Sequence, residues 1–185
     1  MFVYYNVRPL SPERIPEAFP VVAFLDERIT VQQWSNYASA VVTANGQGSH
    51  GIMTLQDPQS HIIGLSVYHI RPDLQRGRVL VIENFAVVSL IGVQQAASTL
   101  LAGMEQLARD RDCACLAVSL LDRKERRLPN HGSNQTGQFF KGAGFRLDVA
   151  RLSKCFDAIT AQSLESAEPG ASSPGASSKG AQARH

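Results

Sequence analysis

The 185-residue sequence predicts an α/β fold in which one sheet is covered by helices on both faces. Three observations carry that expectation. Read in order, the chain offers a strand, two helices, three strands, a helix, a strand, a helix and a closing strand. The stretch "RVLVIENFAVV", Arg78–Val88, is apolar on both alternating faces, as a central strand is. From Val93 to Arg109 the apolar residues Val93, Ala96, Ala97, Leu100, Leu101, Met104, Leu107 and Ala108 recur with helical spacing and mark a long amphipathic helix.

"FVYYNVRPL" reads as the first strand, ended by Pro9. Ser11 before Pro12 is an N-cap with proline at the first helical position, and the helical stretch that follows is interrupted by Pro16 and Pro20. Thr30 caps a second helix, "VQQWSNYASAVVTA", whose Val31, Trp34, Tyr37, Ala38 and Val41 share one face. A turn, "ANGQGSHG", leads to strands at Ile52–Gln56 and "HIIGLSVYHI". After the long helix, "CACLAVSLL" is a buried strand, "DRKERRLPNHG" a polar loop and "SNQTGQFFKGAG" a short helix with Gly144 at its C-cap. "FRLDVARLSKCF" supplies the last strand or strands. Residues 1–156 then form one domain. Residues 157–185 repeat "PGASS" and carry no large apolar side chain after Leu164, so they read as a disordered tail.

Hydrophobic residues make up 44% and charged residues 18%, with a net charge of +2. That balance gives no basic footprint for nucleic acid. "MFVYYNVRPL" lacks the organisation of a signal peptide and no apolar run reaches membrane-spanning length, so a cytoplasmic protein is expected. Cys113, Cys115 and Cys155 form no C-x-x-C pair, and His61, His69 and His131 show no ligand spacing. The expectation is free, buried thiols and no metal, with His69 a surface residue at a strand end.

Chemistry concentrates in the strand–turn–helix unit from Glu83 to Leu101. A turn that feeds a helix N-terminus is where backbone N–H groups meet phosphate. Here "VVSLIGVQQAAS" has one glycine, Gly92, and no charge, so a phosphate cradle and a plain strand-to-helix turn both fit. Glu83 is a carboxylate in an apolar strand, a setting that suits a general base. Strand alternation places it on the face of Val81, Phe85 and Val87. An ion pair with Arg78 or Arg8 is the other reading of the same residue.

"VRPL", "IENFAVVSLIGVQQAASTLLAGMEQLARDRDCACLAVSL", "GQFFKGAGF" and "RLSK", in that order, resemble the segments of the GNAT superfamily of N-acetyltransferases. The resemblance implies a mixed, mainly antiparallel sheet with a splayed central strand pair. It implies an N-acetyltransferase that takes its acyl group from acetyl-CoA and passes it to an amine, of a small molecule or a peptide, by direct attack with no metal. Homodimers are common in that family. Acetyl-CoA would lie along Phe85, Ala86 and Val87, with its pyrophosphate at Val93, Gln94, Gln95, Ala96 and Ala97. The family's glycine-rich turn maps onto Gly92, Gln95 and Ala97. Ala97 fits, Gly92 stands for the basic residue and Gln95 for the central glycine. Glu83 matches the base of several members. Asn134, one residue from the family's cofactor-contacting asparagine position at Ser133, and Phe139 and Phe140 would also meet the cofactor. Phe140 replaces the usual tyrosine acid, and water can protonate a thiolate whose pKa is about 8.5. The acceptor would bind between the two N-terminal helices and the end of the Arg78–Val88 strand, where Trp34 and Tyr37 are the lining candidates and also core candidates. The eroded turn and Phe140 equally suit a GNAT-shaped ligand-sensing or protein-interaction module.

Overall fold

Alternation along the chain resolves into a five-stranded sheet in a computed structural model that describes residues 4–44, 48–89, 92–119 and 133–146. The strands are β1 (Asn6–Pro9), β2 (His50–Gln56), β3 (Ile62–Asp73), β4 (Gly77–Val87) and β5 (Cys115–Val118), side by side in sequence order. Every neighbouring pair is antiparallel except β4–β5, which is parallel. The helices are α1 (Phe19–Leu25), α2 (Val31–Thr43), α3 (Val93–Asp110) and α4 (Ser133–Gly142). The chain divides into two compact units, Met1–Phe139 and Phe140–His185. The expected loop at 122–132, closing strand, Cys155 and tail lie outside the described residues, and no described helix is long and apolar enough to cross a membrane.

Pro12 and Pro16 each start a short 3₁₀ turn, Pro12–Arg14 and Pro16–Ala18, and Ser11 makes no side-chain cap bond. The expected interrupted helix is therefore two turns followed by the short α1. Thr30 behaves as its sequence indicates. Its hydroxyl accepts from the Gln33 N–H at 3.2 Å while Gln33 Oε1 accepts from the Thr30 N–H at 2.9 Å, a reciprocal cap. The β3–β4 hairpin extends beyond its apolar stretch. Asp73 Oδ1 accepts from the N–H groups of Gln75 and Arg76, and Gly77 takes φ +78° to close the turn.

Two apolar layers sandwich the sheet. On one side Val21, Val22, Trp34 and Ala38 from α1 and α2 pack on Ile52, Leu65, Val67 and Ala86. On the other, Ala96 and Leu100 of α3 pack on Leu55, Val7, Phe85 and Val87. Residues Val79–Ile82 of β4 are buried throughout, as a strand covered on both faces requires. β5 is only half-buried, and Cys113 and Cys115 are free but half-buried rather than sealed in the core, because this strand lies at the margin of the described sheet.

In the second unit, α4 ends in a Schellman motif. Gly144 has φ +89°, its N–H reaches the Lys141 carbonyl, and the Phe145 N–H reaches the Phe140 carbonyl. The rings of Phe140 and Phe145 meet edge to face at 5.2 Å, the apolar contact that accompanies this motif.

Candidate active site

The β3–β4 register contains one irregularity. Val67 pairs with Asn84 and the next residue, Tyr68, pairs with Ile82. Glu83 is the extra residue of a β-bulge, which re-aims its side chain and changes the phase of the strand. The expected alternation is corrected accordingly. Phe85 and Val87 pack toward α3, while Glu83 stands by His69, the residue paired across the ladder with Val81. Glu83 Oε1 lies 3.3 Å from His69 Nδ1, so its partner is this histidine rather than Arg78 or Arg8. Nor is Glu83 enclosed by apolar neighbours: its side chain is 42% exposed and that of His69 33%. His69 lies within β3 and not at its end, because the strand continues to Asp73.

Tyr37 belongs to the same neighbourhood. Its hydroxyl is raised above the ordinary tyrosine value, first by burial and then by the negative charge of Glu83. One turn earlier, Trp34 is buried and donates its indole N–H to the Ile15 carbonyl at 2.7 Å, so it supports α2 from within the core. The two rings are 6.2 Å apart. Tyr37 is half-open to solvent, whereas Trp34 is not.

The second component is the end of β4. Its pairing with β5 among the described residues runs to Ile82, where the Ser119 N–H donates to the Ile82 carbonyl, and β4 itself continues to Val87. Val88 donates its N–H to Ile63 of β3. Val87, one residue earlier, therefore directs its backbone groups to the opposite side, beyond the last described β5 pair. The ring of Phe139 stacks on Phe85 at 6.1 Å, and Ala86 is buried against the other layer with Leu65 and Val67.

The third component is the start of α3. Gly92 is its N-cap, in the left-handed region at φ +69° and ψ +35°, and no side chain caps the helix. An L-residue with this backbone is strained, which supplies a reason for glycine at the position that the resemblance gives to a basic residue. The first bond within the helix runs from the Ala96 N–H to the Gly92 carbonyl at 3.0 Å. Ala96 therefore offers no donor outward and its methyl is buried, whereas Val93, Gln94 and Gln95 lie exposed at the open end and Ala97 is half-buried. Phe140 lies in the second unit, and the Asn134 side chain is outside the described residues. Among the described residues no cluster of three or more His, Cys, Asp or Glu side chains is placed to hold a metal ion.

His69 is the site residue that sequence reasoning missed. Its proximity to Glu83 depends on the bulge, which leaves no local signature.

The fold is that of the GNAT superfamily of N-acetyltransferases. Solved structures that share it include an aminoglycoside N-acetyltransferase in complex with CoA, at TM-score 0.69 and 10% identity over 85% of this chain and 98% of that one. Glucosamine-6-phosphate N-acetyltransferase from Arabidopsis thaliana gives TM-score 0.61 at 15% identity, over 83% and 99% of the two chains. Ribosomal-protein-alanine N-acetyltransferase from Brucella melitensis biovar Abortus gives 0.63 at 14%, over 83% and 100%. By sequence, no protein-family model and no curated protein matches the chain.

Proposed function

We propose that this protein is an N-acetyltransferase that transfers the acyl group of acetyl-CoA to an amine by direct attack. The observation that carries the reading is β4 itself: it continues to Val87, five residues past its last described β5 pair at Ile82, and Glu83 bulges out directly after that pair. The GNAT fold of the chain supports it.

Acetyl-CoA supplies an activated thioester. The chain's part is to hold it and to manage one proton. The backbone of Phe85–Val87 suits the amide-rich pantetheine arm, and Phe139, stacked on Phe85, walls it in. Pyrophosphate is matched by the first turn of α3, where Val93, Gln94 and Gln95 precede the first intrahelical bond and the helix dipole favours negative charge. Ala97 continues that turn; Ala96 positions it from below. The resemblance adds Asn134 as a cofactor contact. Glu83 accepts the proton that the amine gives up, and His69 beside it fixes the carboxylate. A half-open carboxylate also attracts a cationic acceptor from solvent. Tyr37 lines the acceptor's approach and Trp34 holds Tyr37 in place. Acyl transfer from a thioester needs no metal. The acceptor class is a small-molecule or peptide amine of the cytoplasm.

The test is calorimetric titration of acetyl-CoA into the full chain, followed by an amine panel with thiol release as readout. The expected result is saturable binding and amine-dependent release. Glu83→Gln should lower kcat by about 100-fold or more while leaving acetyl-CoA affinity within about twofold. No binding at millimolar acetyl-CoA would overturn the reading and leave a GNAT-shaped interaction module.

A further inference from the structure

β2 carries an anomaly away from the β4–β5 opening. Among the described residues only Thr54, Gln56 and Ser66 are buried and polar, and the first two line one cleft of about 360 Å³. The cleft lies where the edge strand β1 meets the first 3₁₀ turn, with Leu10 and Ile62 as its apolar wall and Arg8 and Arg14 at its rim. Its volume falls within the range of small-molecule sites.

The polar groups there are incompletely matched. Thr54 donates its hydroxyl to the Arg8 carbonyl at 3.0 Å. Gln56, only 7% exposed, makes one long contact, from Nε2 to Thr54 Oγ1 at 3.4 Å. Its Oε1 and its second N–H meet no protein group among the described residues. These amide atoms therefore remain available to a molecule in the cleft. The two arginines differ as well. Arg14 is held by Glu17 at 2.7 Å and by the Ser60 carbonyl at 2.6 Å. Arg8 has no acidic partner among the described residues.

We infer that this cleft is a binding site for a small monocarboxylate with an apolar body, separate from the proposed acetyl-CoA site. The carboxylate pairs with Arg8 and takes an N–H from Gln56, and the apolar body covers Leu10 and Ile62. Charge selects the class. Glu17 neutralises Arg14, so a single unmatched guanidinium remains at the rim, and a dianionic phosphate would leave one negative charge unbalanced there. A monoanion does not face that imbalance.

The experiment is a ¹H–¹⁵N titration of the full chain with isovalerate, its neutral isostere isovaleramide and inorganic phosphate. Isovalerate should give saturable shifts at Arg8, Leu10, Thr54 and the Gln56 side-chain amide. Arg8→Gln, a change at an exposed edge-strand side chain, should weaken that binding about tenfold or more, as loss of a charge-assisted bond predicts. The inference is overturned if isovaleramide binds as well as isovalerate, if phosphate binds more tightly, if the shifts fall elsewhere, or if no shift saturates. Should the spectrum of Arg8→Gln show a fold defect, the wild-type shift map and the isostere comparison decide alone.

Discussion

Gly92 is the most exposed test of how the turn before α3 works. Its φ of +69° lies in the left-handed region, where an L-residue costs about 1–2 kcal/mol. Space is not the obstacle to Gly92→Ala. An added Cβ would have its nearest neighbours at Gln95 Oε1, 3.8 Å away, and the Tyr5 hydroxyl, 3.9 Å away, both ordinary contacts. The penalty is therefore conformational. Against it stands about 0.4–1 kcal/mol gained by restricting the unfolded chain. The expected balance is a loss of about 1 kcal/mol, a fall in Tm of about 2–4 °C for a chain of this size. Gly92→Asn should lose less, since asparagine tolerates this backbone. Thermal and urea unfolding of both variants measure the difference, and acetyl-CoA titration shows whether re-aiming the first turn of α3 weakens binding. If Gly92→Ala melts at or above the wild type, the left-handed N-cap and the reason for glycine there are both wrong.

Three further outcomes follow from the same geometry. Because burial and then the charge of Glu83 raise the Tyr37 hydroxyl, Glu83→Gln should lower its titration part of the way; the neutral phenol's contribution to stability is complete below the unfolded tyrosine value, about 10, and is lost as pH rises through the folded value. An ultraviolet pH titration of both proteins checks this, and an unchanged Tyr37 would separate it from Glu83. Gly103→Ala in α3 would ordinarily gain about 1 kcal/mol of helix propensity, but its Cβ would come 2.6 Å from Val7 Cγ1 and 3.0 Å from Val7 Cβ, so overpacking of about 1–3 kcal/mol should make it destabilising. In a Val7→Ala background the same change should turn favourable, and a double-mutant cycle by urea unfolding that finds no such coupling refutes the close approach of α3 to β1. Thr30→Ala removes the reciprocal cap of α2 and should cost about 1 kcal/mol of unfolding free energy; a loss below about 0.3 kcal/mol would mean that the cap contributes nothing.

Features set by local chemistry were legible in the sequence: the Thr30 cap, the Gly144 C-cap, the start of α3 at Val93 and the central place of β4 all depend on residues within one turn or one strand. The candidate site was legible as a set of positions and not as a set of neighbours. Val81, Glu83, Phe85 and Val87 read as one period-2 series, and a single bulged residue divides it. After the bulge, Phe85 and Val87 belong with α3 and Glu83 with His69 and Tyr37. Nothing local marks Glu83 as the extra residue, because the bulge is a property of the β3–β4 pairing, and an offset of one residue exchanges the faces of everything beyond it. Gly92 shows the same limit from the other side. Judged by side-chain chemistry it is the loss of a basic residue; judged by its backbone it is the residue that admits a left-handed entry to α3. An anion site made of backbone N–H groups depends on that entry angle more than on the charge of one side chain, so a turn poor in glycine and lacking charge is compatible with the proposed phosphate cradle.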